Sequence, residues 1–400
     1  MTNHRRIITL LGIGTAISLL GDATLYTVLP HPAVAAEAGV SLAMVGVLLG
    51  TNRAVRLLLN GMVGVLYDRM YRRALLVASL AIGSIASVFY ALGSGFWPLF
   101  AGRAIWGLAW SLLWIGGNAV ILDISTDENR GRFSGAYQMW FFVGIGLASF
   151  LGGLFTDLFG FRSGQWISAL LIGLAALLWL ILLPETRQKE IAGKDSRSQP
   201  AGVVLIPWRL VLAASAPVFV ARFITWGVVA ATAILWLSSL MGESLEVFGW
   251  FIPIATLTGT YTALSMVAGV SSAPAAGSLS DRLGRRWPVV ALSLLLGGAG
   301  IWLMSIPFAP VALMGALLAQ MVSGGVETLV PAIIGDRVNG RSRGRSLGLI
   351  YTFGDLGATL GPVVALGILN RNWLTVGEIY KAAALLLVLV GIFAVTQTRR

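Results

Sequence analysis

The chain has 400 residues, 57% hydrophobic and only 11% charged, with a formal net charge of +11. A soluble domain carries about 25% charged residues, so this composition excludes an ordinary soluble enzyme and points to an all-α protein that crosses a membrane many times. With no cysteine, disulfides, thiol catalysis and cysteine-ligated zinc are excluded, and the two histidines, His4 and His31, do not make a metal site inside a bilayer.

A bilayer-crossing helix needs about 20 mostly apolar residues, and twelve such runs are present. They cover 7–30, 41–66, 74–93, 97–122, 133–158 and 164–183, then 207–238, 255–279, 288–306, 310–334, 344–369 and 378–396. Backbone groups in lipid must pair within their own segment, so each run is expected to be a helix. The first run follows Arg5 and Arg6 and precedes Ala33-Val34-Ala35, features that also occur in cleaved leaders. Asp22 in its middle and eleven further runs favour an uncleaved first helix. With the N-terminus inside, 21 of the 28 Lys and Arg residues fall in inner loops. Three (Arg162, Arg371, Lys381) fall outside and four (Arg53, Arg56, Arg103, Arg222) within helices. Inner loops are enriched in Lys and Arg, so both termini are expected in the cytoplasm. The positive charge then reads as topology and attraction to the lipid bilayer, not as nucleic-acid binding. Residues 184–206 are the most polar run and read as a cytoplasmic linker between six-helix bundles at 1–183 and 207–400.

Two segments stand out, GVLYDRMYRR at 64–73 and GSLSDRLGRR at 277–286. Asp68 and Asp281 are 213 residues apart, and the same offset carries Asp123 to Asp336, Arg130-Gly131-Arg132 to Arg343-Gly344-Arg345, Gly135 to Gly348 and Gly144 to Gly357. One ungapped offset over several sites marks an internal duplication. Parallel six-helix repeats characterise a class of transporters whose substrate site lies at mid-membrane between the halves.

GSLSDRLGRR resembles the signature loop of the major facilitator superfamily, Gly-x-x-x-Asp-Arg-x-Gly-Arg-Arg between the second and third helices. GVLYDRMYRR matches except at Tyr71, which stands where the pattern has glycine. The resemblance extends over essentially the whole chain. It implies the major facilitator fold, twelve transmembrane helices in two parallel repeats, with no cofactor or metal, usually monomeric. The inner membrane of a prokaryote is the expected location. Asp68 and Arg72 are four apart, as are Asp281 and Arg285, which would place each pair on one helical face. Asp123 and Asp336 end neighbouring helices within reach of the same arginines. The resemblance implies that Asp68, Arg72 and Asp123, with the copy Asp281, Arg285 and Asp336, form a cytoplasmic gating latch. A left-handed turn at the glycine position would strain Tyr71. The fifth helix carries Gly144, Ala148, Ser149, Gly152 and Gly153, similar to the small residues of family antiporters, whose proline appears only in the second half, as Pro362.

Ionisable residues inside a membrane are costly and usually face a cavity or a partner. Here they are Asp22, Arg53, Arg56, Arg103, Arg222, Glu327 and Asp355. Asp22, in GDATLYTVLP, resembles the first-helix acid of multidrug proton antiporters, and Arg103, in GRAIWGLAW, the fourth-helix arginine that tunes it. The resemblance also places helices 1, 4, 7 and 10 around the central cavity. A carboxyl taken out of water binds a proton more readily, which is what proton coupling requires. The competing reading makes Asp22 a permanent partner of Arg53 or Arg103. Glu327 is the second-half proton candidate. Trp106, Trp110 and Trp226 are candidate aromatic walls, with packing as the alternative, and Tyr26 and Gln138 are weaker polar candidates. No nucleotide-binding loop and no catalytic cluster is present. The expected protein is not an enzyme but a secondary transporter, exporting an amphiphilic or drug-like small molecule against protons. The alternative is a facilitator or symporter of an anionic metabolite or lipid-like solute, since four buried arginines face three buried acids.

Overall fold

The computed structural model describes residues 2–126, 128–186, 207–247, 249–338 and 340–397. Most of the expected linker at 184–206 lies outside the described residues. In the first half the long helices are α1 (Thr2–Val28), α2 (Leu42–Arg69), α3 (Arg72–Leu92), α4 (Phe96–Ile124), α5 (Arg130–Phe159) and α6 (Phe161–Leu182). In the second half they are α7 (Trp208–Met241), α8 (Ile254–Leu283), α9 (Trp287–Met304), α10 (Ala309–Arg337), α11 (Gly340–Asn370) and α12 (Val376–Thr396). A short helix, Pro32–Glu37, and a hairpin of β1 (Ser244–Val247) and β2 (Trp250–Pro253) lie at the end away from the termini, termed the outer end below.

Eleven of the long helices are apolar enough to cross a membrane by composition. α8 is the exception. It is 30 residues long, but several of its Thr, Ser and Gly residues are buried against other helices, as at Thr258, Gly259, Ser265 and Ser272. Outward-facing apolar side chains cover the bundle, with Ile181 at 74% and Leu170 at 65% exposure. A soluble monomer rarely shows such surface; lipid is its natural solvent.

α1 packs on α5, and α3 lies between α4 and α6; in the second half α7 packs on α11 and α9 on α12. Buried indoles need an acceptor. Trp179 of α6 donates to the Leu10 carbonyl at 2.9 Å, and Trp236 of α7 to the Met304 carbonyl at 2.8 Å. α7 is irregular. Pro217 lies inside it and Phe223–Val229 is a π-helical stretch directly after Arg222.

The halves meet along two seams, α2 against α11 and α5 against α8. The 213-residue offset relates one seam to the other. A Cβ on Gly46 would lie 2.6 Å from the Pro362 carbonyl oxygen, and one on Gly259 would lie 2.3 Å from that of Ser149. No other residue permits so close a backbone approach. Eighteen residues further on, about five turns along the same face, Gly64 and Gly277 have nothing within 4 Å of that position. The halves therefore press together at the outer end and diverge toward the end that carries the termini and the basic loops. A third cross-half contact, His31 Nε2 to Glu243 Oε2 at 3.0 Å, bridges the outer end.

Candidate functional site

Two ion networks occupy the space between the seams. The first hangs on Arg103, which is fully buried. Its position, two turns into α4, faces the backbone of α2. Arg103 Nε donates to the Leu48 carbonyl at 2.9 Å, Nη2 to that of Leu49 at 3.2 Å, and Nη1 to Asp22 Oδ1. Asp22 Oδ1 also accepts from Asn52 Nδ2 at 3.1 Å. The Tyr26 ring lies beneath two guanidiniums, 5.6 Å from that of Arg103 and 5.1 Å from that of Arg53. Its hydroxyl donates to the Leu49 carbonyl at 2.6 Å and accepts from Arg53 Nη1 at 2.5 Å. Arg53 crosses to the second half, donating to the Ala358 carbonyl at 3.2 Å.

The second network centres on Arg222 at the start of the π-helical stretch. Nε and Nη2 grip Glu327 at 2.6 and 2.9 Å, and Nη1 reaches Asp355 Oδ1 at 2.9 Å. Its guanidinium lies over the Tyr351 ring at 5.2 Å. Arg56 approaches Asp355 Oδ2 at 3.9 Å from the first half. Glu327 is 30% exposed, against 16% for Asp22.

Sequence spacing did not reveal Asn52 or Tyr351 as members. The aromatic candidates divide. Trp106 and Trp110 are almost fully buried in the packing of the first half. Trp114, one turn on and half-buried, stacks on Trp110 at 5.6 Å and on Tyr137 at 5.5 Å. Trp226 is half-buried in the π-helical stretch, four residues after Arg222. Gln138 is half-buried on α5 and, among the described residues, bonds to no member of either network.

The expected latch needs correction at two points. The four-residue spacing assumed an unbroken helix, but α2 ends at Arg69 and α8 at Leu283. Arg72 therefore starts a new helix, and its Nε meets Asp123 Oδ2 at 3.2 Å. In the copy, Gly284 adopts a left-handed φ of 61° and redirects the chain, so Arg286 rather than Arg285 meets Asp336 and approaches Asp281 at 4.0 Å. Tyr71 is not strained: its φ is −66° and the first loop turns without a left-handed residue. Glu185 was missed because it lies far along the sequence; it accepts from the Arg72 and Arg73 N–H groups at 3.1 and 3.0 Å and so caps α3. The hydrogen bond that Arg286 donates to Asp336 holds its guanidinium above the ordinary pKa. That pair is solvated, and exposed pairs contribute less than about 1 kcal/mol. Arg286→Ala should accordingly leave the melting temperature in detergent nearly unchanged, measured by size exclusion after heating.

A family model for the Major Facilitator Superfamily matches residues 11–265 and 255–400. The tetracycline resistance protein, class E, of Escherichia coli is 25% identical over 320 residues, which cover 80% of this chain and 76% of that protein. The 4-hydroxybenzoate transporter PcaK of Pseudomonas aeruginosa is 23% identical over 333 residues, 78% of this chain and 74% of that protein. Among solved structures, a bacterial homologue of the human lysosomal transporter Spinster, inward-facing and unoccupied, superposes with a TM-score of 0.75 at 18% identity. That match covers 99% of this chain and 95% of the other. With the twelve helices, the paired seams and the duplicated loop, the match over the whole length is decisive: this chain is a membrane transporter, not an enzyme, and belongs to the Major Facilitator Superfamily.

Proposed function

We propose that the chain is a secondary active transporter that exports an amphiphilic or drug-like small molecule against protons, from a prokaryotic inner membrane with both termini in the cytoplasm. On this reading the open end faces the cytoplasm and the structure is inward-open.

The observation that carries the proposal is the inequality of the two halves at matched positions. The 213-residue offset carries Trp114 to Glu327 and Phe142 to Asp355. Equivalent positions thus bear aromatic rings in one half and arginine-held carboxylates in the other. A molecule with an apolar body and a polar or charged group complements both walls.

The way the arginines are held supports the reading of proton coupling. Arg103 keeps two backbone carbonyls and Arg222 keeps Asp355, whatever happens at Asp22 or Glu327. Either carboxylate can therefore take up a proton while its arginine stays in place. A cationic substrate group and a proton compete for the same negative charge, so binding of one favours release of the other. Rocking of the halves about the cavity then exposes the loaded site to the opposite side.

The test uses everted membrane vesicles carrying an imposed proton gradient, followed with a pH-sensitive dye, and a panel of cationic, neutral and anionic amphiphiles. At least one compound should collapse the gradient in wild type and none in Asp22→Asn. If no compound collapses it in wild type, proton-coupled export is wrong.

A second reading is favoured by one residue. The hydrogen-bond partners of Arg53 are the neutral Tyr26 hydroxyl and Ala358 carbonyl, which leaves its charge available to an anion. Uptake of an anionic metabolite without gradient collapse in the same panel would support that reading. The likeness to a 4-hydroxybenzoate transporter is compatible with it.

A further inference from the structure

We infer that Asp157 and Asn370 are positioning residues of the transport cycle: each caps, from its own half, the first turn of a helix in the other half, and together they hold the outer end closed.

The first turn of any helix leaves N–H groups without intrahelical partners. A Ser, Thr, Asp or Asn side chain at the N-cap usually accepts from one of them. α8 lacks such a side chain, since its N-cap is Pro253. Asp157, in the last turn of α5, fills the vacancy. Its Oδ2 accepts from the Thr256 N–H at 2.7 Å and from the Thr256 hydroxyl at 2.6 Å. Thr256 is the third residue of α8, whose N–H an N-cap side chain would normally take.

The other seam repeats the device. α2 has its own cap, Ser41, whose hydroxyl accepts from Met44 N at 3.3 Å. The neighbouring donor, Ala43 N, goes to Asn370 Oδ1 at 3.3 Å, from the last residue of α11. The 213-residue offset carries Asp157 to Asn370 and Ala43 to Thr256. One contact has been duplicated along with the chain, and both copies cross between the halves.

Because the caps are made in trans, they exist only while the outer end is closed. Opening it returns two helix N-termini and two polar side chains to water, so the caps bias the equilibrium toward the closed outer end. The copies are unequal. Asp157 is half-buried and places a full negative charge at a helix N-terminus, where the macrodipole favours it. Asn370 is neutral and exposed, and its bond is longer. Asp157 should therefore dominate.

The absence of native cysteine makes site-directed spin labelling clean. Labels at Ser94→Cys, in the outer loop between α3 and α4, and Lys381→Cys, near the outer end of α12, report the separation of the halves. Both sites are exposed. Distance distributions would be recorded by pulsed electron paramagnetic resonance on the full chain in nanodiscs. Asp157→Ala should shift the ratio of open to closed outer ends about fivefold toward open, the usual scale for loss of a cap. Asn370→Ala should shift it less, and Asp157→Asn should fall between wild type and Asp157→Ala. In the Asp157→Ala background, Asn370→Asp should restore part of the closed population, because it returns a carboxylate to the other seam. A general loss of fold would not be reversed in this way. Unchanged distributions in both alanine variants, or no restoration by Asn370→Asp, would overturn the inference.

Discussion

Arg103→Ala should be the most destabilising single substitution in the first half. Its guanidinium is fully buried and holds Asp22 and two α2 carbonyls at once. Its loss leaves Asp22 without its arginine, with Asn52 as its remaining hydrogen-bond partner among the described residues. Breaking one side of a buried pair costs about 3–5 kcal/mol. Melting in detergent should fall by many degrees, or folded protein should not be recovered. Arg103→Lys should not rescue it, because a single ammonium cannot span three separate acceptors as a planar fork does. The double variant Asp22→Leu with Arg103→Leu should recover folded protein, since replacing a whole buried pair with apolar residues is often neutral. It should still fail in the vesicle assay. Recovery of gradient collapse by the double variant would remove Asp22 from the coupling path.

Arg222→Ala should have the opposite profile, folding with abolished transport. Arg222, Glu327 and Asp355 are 18%, 30% and 20% exposed at the cavity, so water can solvate the two carboxylates left behind. The stability loss should be well below that of Arg103→Ala. Function should suffer more. Arg222 ties α7 to α10 and α11, and without it two like charges face each other and Arg56 is drawn further onto Asp355. Substrate-induced gradient collapse should drop to background while size-exclusion profiles and melting remain close to wild type. Wild-type transport by Arg222→Ala would show that the second network is structural.

Much of this architecture is legible in the residues, because bilayer physics leaves few options for apolar runs of this length and because the duplication has no gaps. The same offset that aligns Asp68 with Asp281 also aligns Gly46 with Gly259 and Asp157 with Asn370, contacts that acquire meaning only once the seams are seen. What spacing could not show were the breaks in the helices. Arg286 replaces Arg285 because of one left-handed glycine, whereas Tyr71 achieves a turn by extended backbone. The π-helical stretch after Arg222 has no signal in the sequence. Apart from Arg103, Asn118 and Asp123, α4 is apolar around its circumference, so periodicity could not separate the buried Trp106 and Trp110 from the half-buried Trp114. The pairing of Asp22 with Arg103 rather than Arg53 was likewise undecided, since both arginines lay within plausible reach. The tertiary fold settles it by placing Arg103 against the carbonyls of Leu48 and Leu49 and turning Arg53 toward Tyr26.

The most direct measurement is proton release on substrate binding. Purified protein would be held in weakly buffered detergent solution, and the compound that collapses the vesicle gradient would be added while pH is recorded. Proton-coupled export requires a stoichiometric fall in pH for wild type and none for Asp22→Asn with Glu327→Gln. Saturable binding by wild type with no change in pH would contradict it.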